Sequence, residues 1–240
     1  MTAKEHYNNH LAHFYSWMTG DFDEKRKEFR QFLQTNGIIP TSTKVAIDLG
    51  SSHGIQSAAL ADLGFSVKAL DFNTRLLNEL KTNCKNLDVT PIEDDIRLIS
   101  KYKDVQPELI VCCGDALTHL ETENEIEHFI EHCCDILPVK GKLLFSFRDY
   151  SERLLGDKRF IPVKSDASRI LTCFLEYVPT HVIVTDLLHE FDGTSWKQKV
   201  SSYKKVRISA SEVADLFTLN GMRILFNESV NRFMTIIAEK

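Results

Sequence analysis

Apolar residues along this chain switch between two spacings, and the switches divide it into elements. Residues 4–17 and 23–36 repeat with the period of a helix. Leu11, Phe14, Tyr15 and Met18 share one face of the first, and Phe29, Phe32 and Leu33 one face of the second. Asn36-Gly37 stops the second helix, and Pro40 follows. Short apolar runs at 43–49, 65–70, 88–92, 107–113 and 141–147 then predict strands, with helical patterns at 54–63, 73–84, 95–101 and 122–136 between them. Strand alternating with helix implies a parallel sheet covered on both faces.

The pattern then changes. Three long β-rich runs at 168–178, 181–191 and 196–207 are separated by Pro179-Thr180 and Asp192-Gly193-Thr194. These are hairpin signals and predict an antiparallel meander. Ser209 and Glu212 form a capping box that opens a last helix, and Asn220-Gly221 closes it. Strands at 222–227 and 232–238 complete the series. The expected organisation is one domain over 1–240, with a helical cap at 1–40 and an inserted meander at 160–207.

Composition narrows the class. The 240 residues can bury a large single core. A hydrophobic share of 43%, a charged share of 26% and a net charge of -5 suit an enzyme and not a nucleic-acid binder. Lys197, Lys199, Lys204, Lys205 and Arg207 alternate with apolar residues and read as a solvated strand face. The polar N-terminus has no signal-peptide core, and no run is long enough to span a bilayer. Cys112-Cys113 and Cys133-Cys134 are adjacent pairs, and Cys84 and Cys173 stand alone. No C-x-x-C exists, so all six read as reduced thiols in a cytoplasmic protein.

The chemistry concentrates in Ala46 to Asn73. An apolar strand ends at Asp48-Leu49-Gly50, a small turn Ser51-Ser52-His53-Gly54 follows, then a helix, a second strand, and Asp71-Phe72. This is the pattern of a nucleoside site at the carboxyl edge of a parallel sheet. Gly50 and Gly54 let backbone pass close to a ligand, the helix start offers free N–H groups, and Asp71 can accept both ribose hydroxyls. A dinucleotide wants G-x-G-x-x-G, which is missing here.

The D-x-G-x-x-x-G form resembles motif I of the class I S-adenosylmethionine (SAM) methyltransferases, with Ser52 where that family usually has glycine. Five βα units, a helix and a final strand pair follow the same order. The resemblance implies an α/β, Rossmann-like class I methyltransferase sheet, mostly parallel with the last strand antiparallel. Helices would cover both faces, and the meander would flank the cleft. It implies SAM as cofactor, with Asp48, Gly50, Ser51, Gly54, Asp71, Phe72 and Cys113 around it. By position, Asp95 would meet the adenine amino group and the Ile96 N–H an adenine ring nitrogen.

Shorter stretches are similar to glycine N-methyltransferases. Gly114-Asp115 and His119-Leu120 match a Gly-Asn-x-x-x-His-Leu segment, with Asp115 in place of asparagine. Phe147-Arg148-Asp149-Tyr150 resembles His-Arg-Asn-Tyr, whose arginine grips a substrate carboxylate. Gly20-Asp21 and the helix after it place Lys25 or Arg26 near the basic residue that binds the SAM carboxylate. Asp115, His119, Arg148 and Tyr15 are therefore the expected substrate-side residues, and Tyr15 with Trp17 could form an aromatic lid.

His6, His10 and His13 share a helix face, and His128 and His132 lie one turn apart, but no further ligand completes a metal site in sequence. The expected activity is methyl transfer from SAM to a small polar acceptor, with an amine or amino-acid-like compound among the candidates. No nucleic acid or membrane partner is expected, and the oligomeric state is open. A nicotinamide-dependent oxidoreductase and a SAM-binding protein without chemistry stand as the alternatives.

Overall fold

A computed structural model describes residues 2–240. Its central sheet has seven strands in the order β10-β11-β5-β4-β1-β2-β3. Strands β1 (Val45–Leu49), β2 (Ser66–Asp71), β3 (Val89–Glu93), β4 (Leu109–Cys112) and β5 (Lys142–Arg148) run parallel. The last strand β11 (Phe233–Glu239) is antiparallel to β5 and to its hairpin partner β10 (Arg223–Val230). The predicted sheet is therefore present, with its one reversed strand inside the edge.

Strand alternation sends neighbouring residues to opposite cores. Ile47 and Leu49 face helices α6 (Glu123–Ile136) and α7 (Ala210–Leu219), where Phe129, Ile130 and Phe217 are buried. Ala46 and Val67 face α3 (Phe22–Thr35) and α4 (Ile55–Asp62) through Leu33 and Leu60. The helix α5 (Thr74–Asn83) follows β2, with Asn73 as its N-cap. Between β1 and β4 the chain order reverses, which opens a crevice at their carboxyl ends.

The meander forms a second sheet. Its order is β6 (Phe160–Ser165), β7 (Arg169–Tyr177), β8 (His181–Phe191) and β9 (Trp196–Val206), all antiparallel. Strand β6 adds a fourth member to the three predicted runs. The alternation along β9 is real, but its reading as a solvated face fails at Lys205. Ser201, Tyr203 and Lys205 point inward and are buried, whereas Lys204 is exposed.

The first predicted helix is broken. It runs as α1 (Ala3–Asn9), a 3₁₀ turn (Leu11–His13) and α2 (Tyr15–Thr19). His10 and Phe14 leave helical geometry, at φ −141° and −133°. The breaks let Leu11 and Phe14 pack against Leu171 and Leu188 of the meander. On this segment His6 is fully buried and His10 nearly so. The segment predicted as a helix at 95–101 is a 3₁₀ stretch over Ile96–Val105.

Candidate functional site

The crevice beyond β1 and β4 opens into a cleft of about 640 Å³. Gly50, Asp71, Phe72, Asp95, Ile96 and Cys113 line it, together with Tyr15 and His119. Asp71 sits at the end of β2. Its Oδ2 accepts the Ser52 N–H and its Oδ1 the Asn73 N–H, both at 2.8 Å. Each oxygen keeps a lone pair for a further donor. Burial pushes the Asp71 carboxyl up to about 6, against the lowering pull of these N–H donors.

Ser52 takes the position where motif I usually has glycine, and its φ is +49°. The left-handed turn is thus kept without glycine. Its hydroxyl donates to the Tyr15 hydroxyl at 3.2 Å, which ties the loop to the cap. Gly50 has φ +72°, and a Cβ there would come within 2.8 Å of Ala116 Cβ. Its missing side chain is needed by the turn Ala116–His119, which brings His119 to the cleft.

Four sequence-predicted cofactor residues do not reach the cleft. Asp48 is buried beneath the loop and accepts the Ser57 hydroxyl at 2.5 Å. Burial raises its carboxyl to about 7, with the Ser57 hydrogen bond pulling the other way. Ser51 is buried at the end of β1, with no hydrogen-bond partner for its hydroxyl among the described residues. Gly54 caps α4 at φ +98°, and a Cβ there would meet Leu80 at 2.8 Å, so it serves helix packing. Lys25 pairs with Glu28 on the outer side of α3, and Arg26 with Asp62. The cations that do line the cleft are Lys4, Arg97 and Lys204. Asp95 is present, but Arg97 holds its carboxylate and lowers its pKa against the effect of burial.

A second chamber of about 250 Å³ adjoins the first. Tyr7, Tyr15, Gly114 and His119 line both, so they mark the junction. Trp17, the other expected lid residue, instead donates to Asp166 on the meander side. Tyr7 lies beside Tyr15, edge-on to Phe72 at 5.4 Å and with its hydroxyl 3.5 Å from His119 Nε2. Burial, helped by the charge of Lys205, drives the His119 imidazole down to about 3. The ring is neutral at physiological pH, and its Nδ1 has no partner among the described residues.

Asp115 and Arg148 line the second chamber, but they meet differently from a simple pair. The Arg148 backbone N–H, not its guanidinium, donates to Asp115 at 2.9 Å. Asp115 also accepts the Thr118 and Tyr150 hydroxyls and forms a buried ion pair with Lys205. Burial pushes the Asp115 carboxyl up, and the Lys205 ammonium outweighs it, holding the carboxyl below its usual range. Arg148's guanidinium contacts the Asn231 carbonyl at 3.4 Å and lies 5.8 Å from the centre of the Phe233 ring. It has no carboxylate partner among the described residues.

Sequence reasoning missed Tyr7, His6, Asp186 and Lys205. His6 Nε2 lies 3.2 Å from Asp186 Oδ2, and the Cys173 thiol donates to the other oxygen at 3.1 Å. The rings of His6, Tyr203 and His119 stack in succession, at 4.0 and 5.5 Å. All six cysteines are free. Cys113 in the cleft wall is pushed up to about 12 by burial. No helix among the described residues is long and apolar enough to cross a membrane.

Comparisons agree with this geometry. A family model described as a methyltransferase domain matches residues 47–145. Glycine/sarcosine N-methyltransferase of Aphanothece halophytica is 24% identical over 119 residues, covering 49% of this chain and 44% of that protein. Its counterpart in Parasynechococcus marenigrum is 24% identical over 139 residues, covering 57% and 45%. The chain thus matches less than half the length of these relatives. Among solved structures, the CcbJ methyltransferase of Streptomyces caelestis superposes with a TM-score of 0.76 at 13% identity, covering 97% of each chain. A SAM-dependent methyltransferase of Clostridium acetobutylicum gives 0.73 at 15% identity, covering 96% of this chain and 98% of that one. Residues 47–145 thus match a methyltransferase-domain model, and the chain as a whole has the fold of the class I SAM-dependent methyltransferases.

Proposed function

We propose that this protein transfers the methyl group of SAM to the amino group of a small acceptor that carries an acidic group. The observation that carries the reading is the junction of two chambers. One has the carboxylate and glycine turn that suit a nucleoside, and the other has an arginine without an acid partner. SAM would supply an already activated methyl group. Asp71 would accept from the ribose hydroxyls, and Gly50 would leave room beside them. Tyr7 and Tyr15 would face the sulfonium, which aromatic rings attract. The Arg148 guanidinium would hold the acceptor's carboxylate through two parallel hydrogen bonds. Neutral His119 would accept a hydrogen bond from the amino N–H at its free Nδ1 and so aim the nitrogen lone pair at the methyl group, while the proton released after transfer would leave to water. The rest of the rate would come from alignment and exclusion of water. Two curated relatives named as glycine/sarcosine N-methyltransferases support an amine acceptor of this kind.

The test has two parts. SAM and S-adenosylhomocysteine should raise the melting temperature, whereas NAD(H) should not. Arg148→Lys keeps the charge but loses the forked geometry. It should raise KM for a carboxylate-bearing acceptor about tenfold or more and leave SAM affinity within a factor of about two. An acceptor without an acidic group, or an unchanged KM, would overturn the substrate part alone.

A further inference from the structure

The second chamber is larger and more apolar than a two-carbon acceptor requires. Its volume of about 250 Å³ approaches the lower end of cavities that hold drug-sized ligands, about 300 Å³. The inner face of the meander forms one wall. In register, Leu175 lies opposite Val184, and Val184 opposite Tyr203. Ile161 of β6 continues the wall beside Cys173. Leu154 and Phe233 also line the chamber.

The charged residues on this inner face are already satisfied by the protein. Lys205 is paired with Asp115, and Asp186 with His6 and the Cys173 thiol. These pairs are buried, so exchanging them for contacts to a ligand would leave a partner charge uncompensated at high cost. The wall therefore offers a ligand mainly hydrocarbon and aromatic surface. A glycine-sized zwitterion would touch Arg148 and the junction and leave that surface against water.

Resting on the amine-acid reading above, we propose that the true acceptor carries an apolar side chain or ring, seated on the Leu175–Val184–Tyr203 row while its acidic group meets Arg148. The meander sets specificity by excluding acceptors too small to cover it. Each methylene removed from water in such a chamber adds about fourfold in affinity.

The experiment is calorimetry on protein saturated with S-adenosylhomocysteine, titrated with glycine, alanine, norvaline, leucine and phenylalanine. Affinity should rise about fourfold per added carbon along the aliphatic series, with leucine about 250-fold tighter than glycine. Val184→Trp fills the chamber and should flatten the series without changing S-adenosylhomocysteine affinity. Because that substitution overpacks a buried site, Ile161→Phe on the less buried β6 is the second variant, with the same expected direction. A flat series in the parent protein, a series led by glycine, or no binding of any member would overturn the inference and leave the cofactor reading standing. Failure of S-adenosylhomocysteine itself to bind would overturn the cofactor reading, and this inference with it.

Discussion

The Lys205 ammonium and the Asp115 carboxylate form a buried ion pair that fastens the meander to the carboxyl edge of the central sheet. Lys205 comes from β9 and Asp115 from the loop after β4, where it sits at φ +79°. Asp115 is thereby a structural anion as well as part of the wall of the second chamber.

Removing one partner should strand the other. Lys205→Met is expected to cost about 3–5 kcal/mol in urea unfolding, because it leaves a buried carboxylate unpaired. Adding Asp115→Asn should recover a large part of that loss. Strict additivity of the two substitutions in a double-mutant cycle would show that the pair is not coupled.

Asp71 gives a mutational and a pH prediction. Asp71→Ala should lose about 2–4 kcal/mol of SAM affinity by calorimetry, the worth of two charge-assisted bonds. With its carboxyl raised to about 6 by burial, SAM affinity in the parent protein should fall as pH drops below that value. Asp48, raised to about 7, and Asp71 both hold protons in the folded state before the unfolded chain does. Their contribution to stability therefore rises as pH falls from about 7 toward about 4. Cofactor should therefore be lost in that window with no destabilisation from these two groups, which a melting scan at each pH would check.

Gly50 should prove doubly sensitive. Its φ of +72° costs an L-residue about 1–2 kcal/mol, and any Cβ presses on Ala116. Gly50→Val is expected to lower the melting temperature and, by moving the turn that carries His119, to abolish SAM binding. A variant that melts early yet binds SAM normally would make Gly50 a fold residue only.

His119 should work as a neutral ring. With its pKa driven to about 3, kcat at saturating substrates should show no imidazole step between about pH 5 and 8. His119→Ala should lower kcat by about a hundredfold through lost alignment of the acceptor and leave SAM affinity within a few-fold. A clear ionisation near 6.5 in kcat that disappears in His119→Ala would contradict the neutral assignment.

The parts of this site that were legible in sequence are the local ones. Gly50, Asp71 and Phe72 are set by one strand-turn-helix-strand unit, so spacing alone placed them at the cleft. Within the same unit, spacing could not separate Gly50 from Gly54. Both have positive φ, but one borders the cleft and the other packs on Leu80. Lys25 and Arg26 fell near the expected position along the chain, yet helix rotation turns them toward Glu28 and Asp62. The residues missed altogether come from distant segments. Period-two alternation could have separated inward Lys205 from outward Lys204, but nothing local pairs Lys205 with Asp115, or His6 with Asp186.

The stacked rings of His6, Tyr203 and His119 join the beginning, the middle and the late part of the chain. Contacts so far apart in sequence are the slowest to find, since closing the intervening loops costs entropy before any packing rewards it. The sheet from β1 to β5 can collapse while the junction of the two chambers is still open. During synthesis, a chain that has not yet produced β9 lacks Tyr203 and the ammonium that neutralises Asp115. Competence for chemistry is therefore expected to be the last property acquired in refolding, and recovery of turnover should lag behind recovery of helical signal.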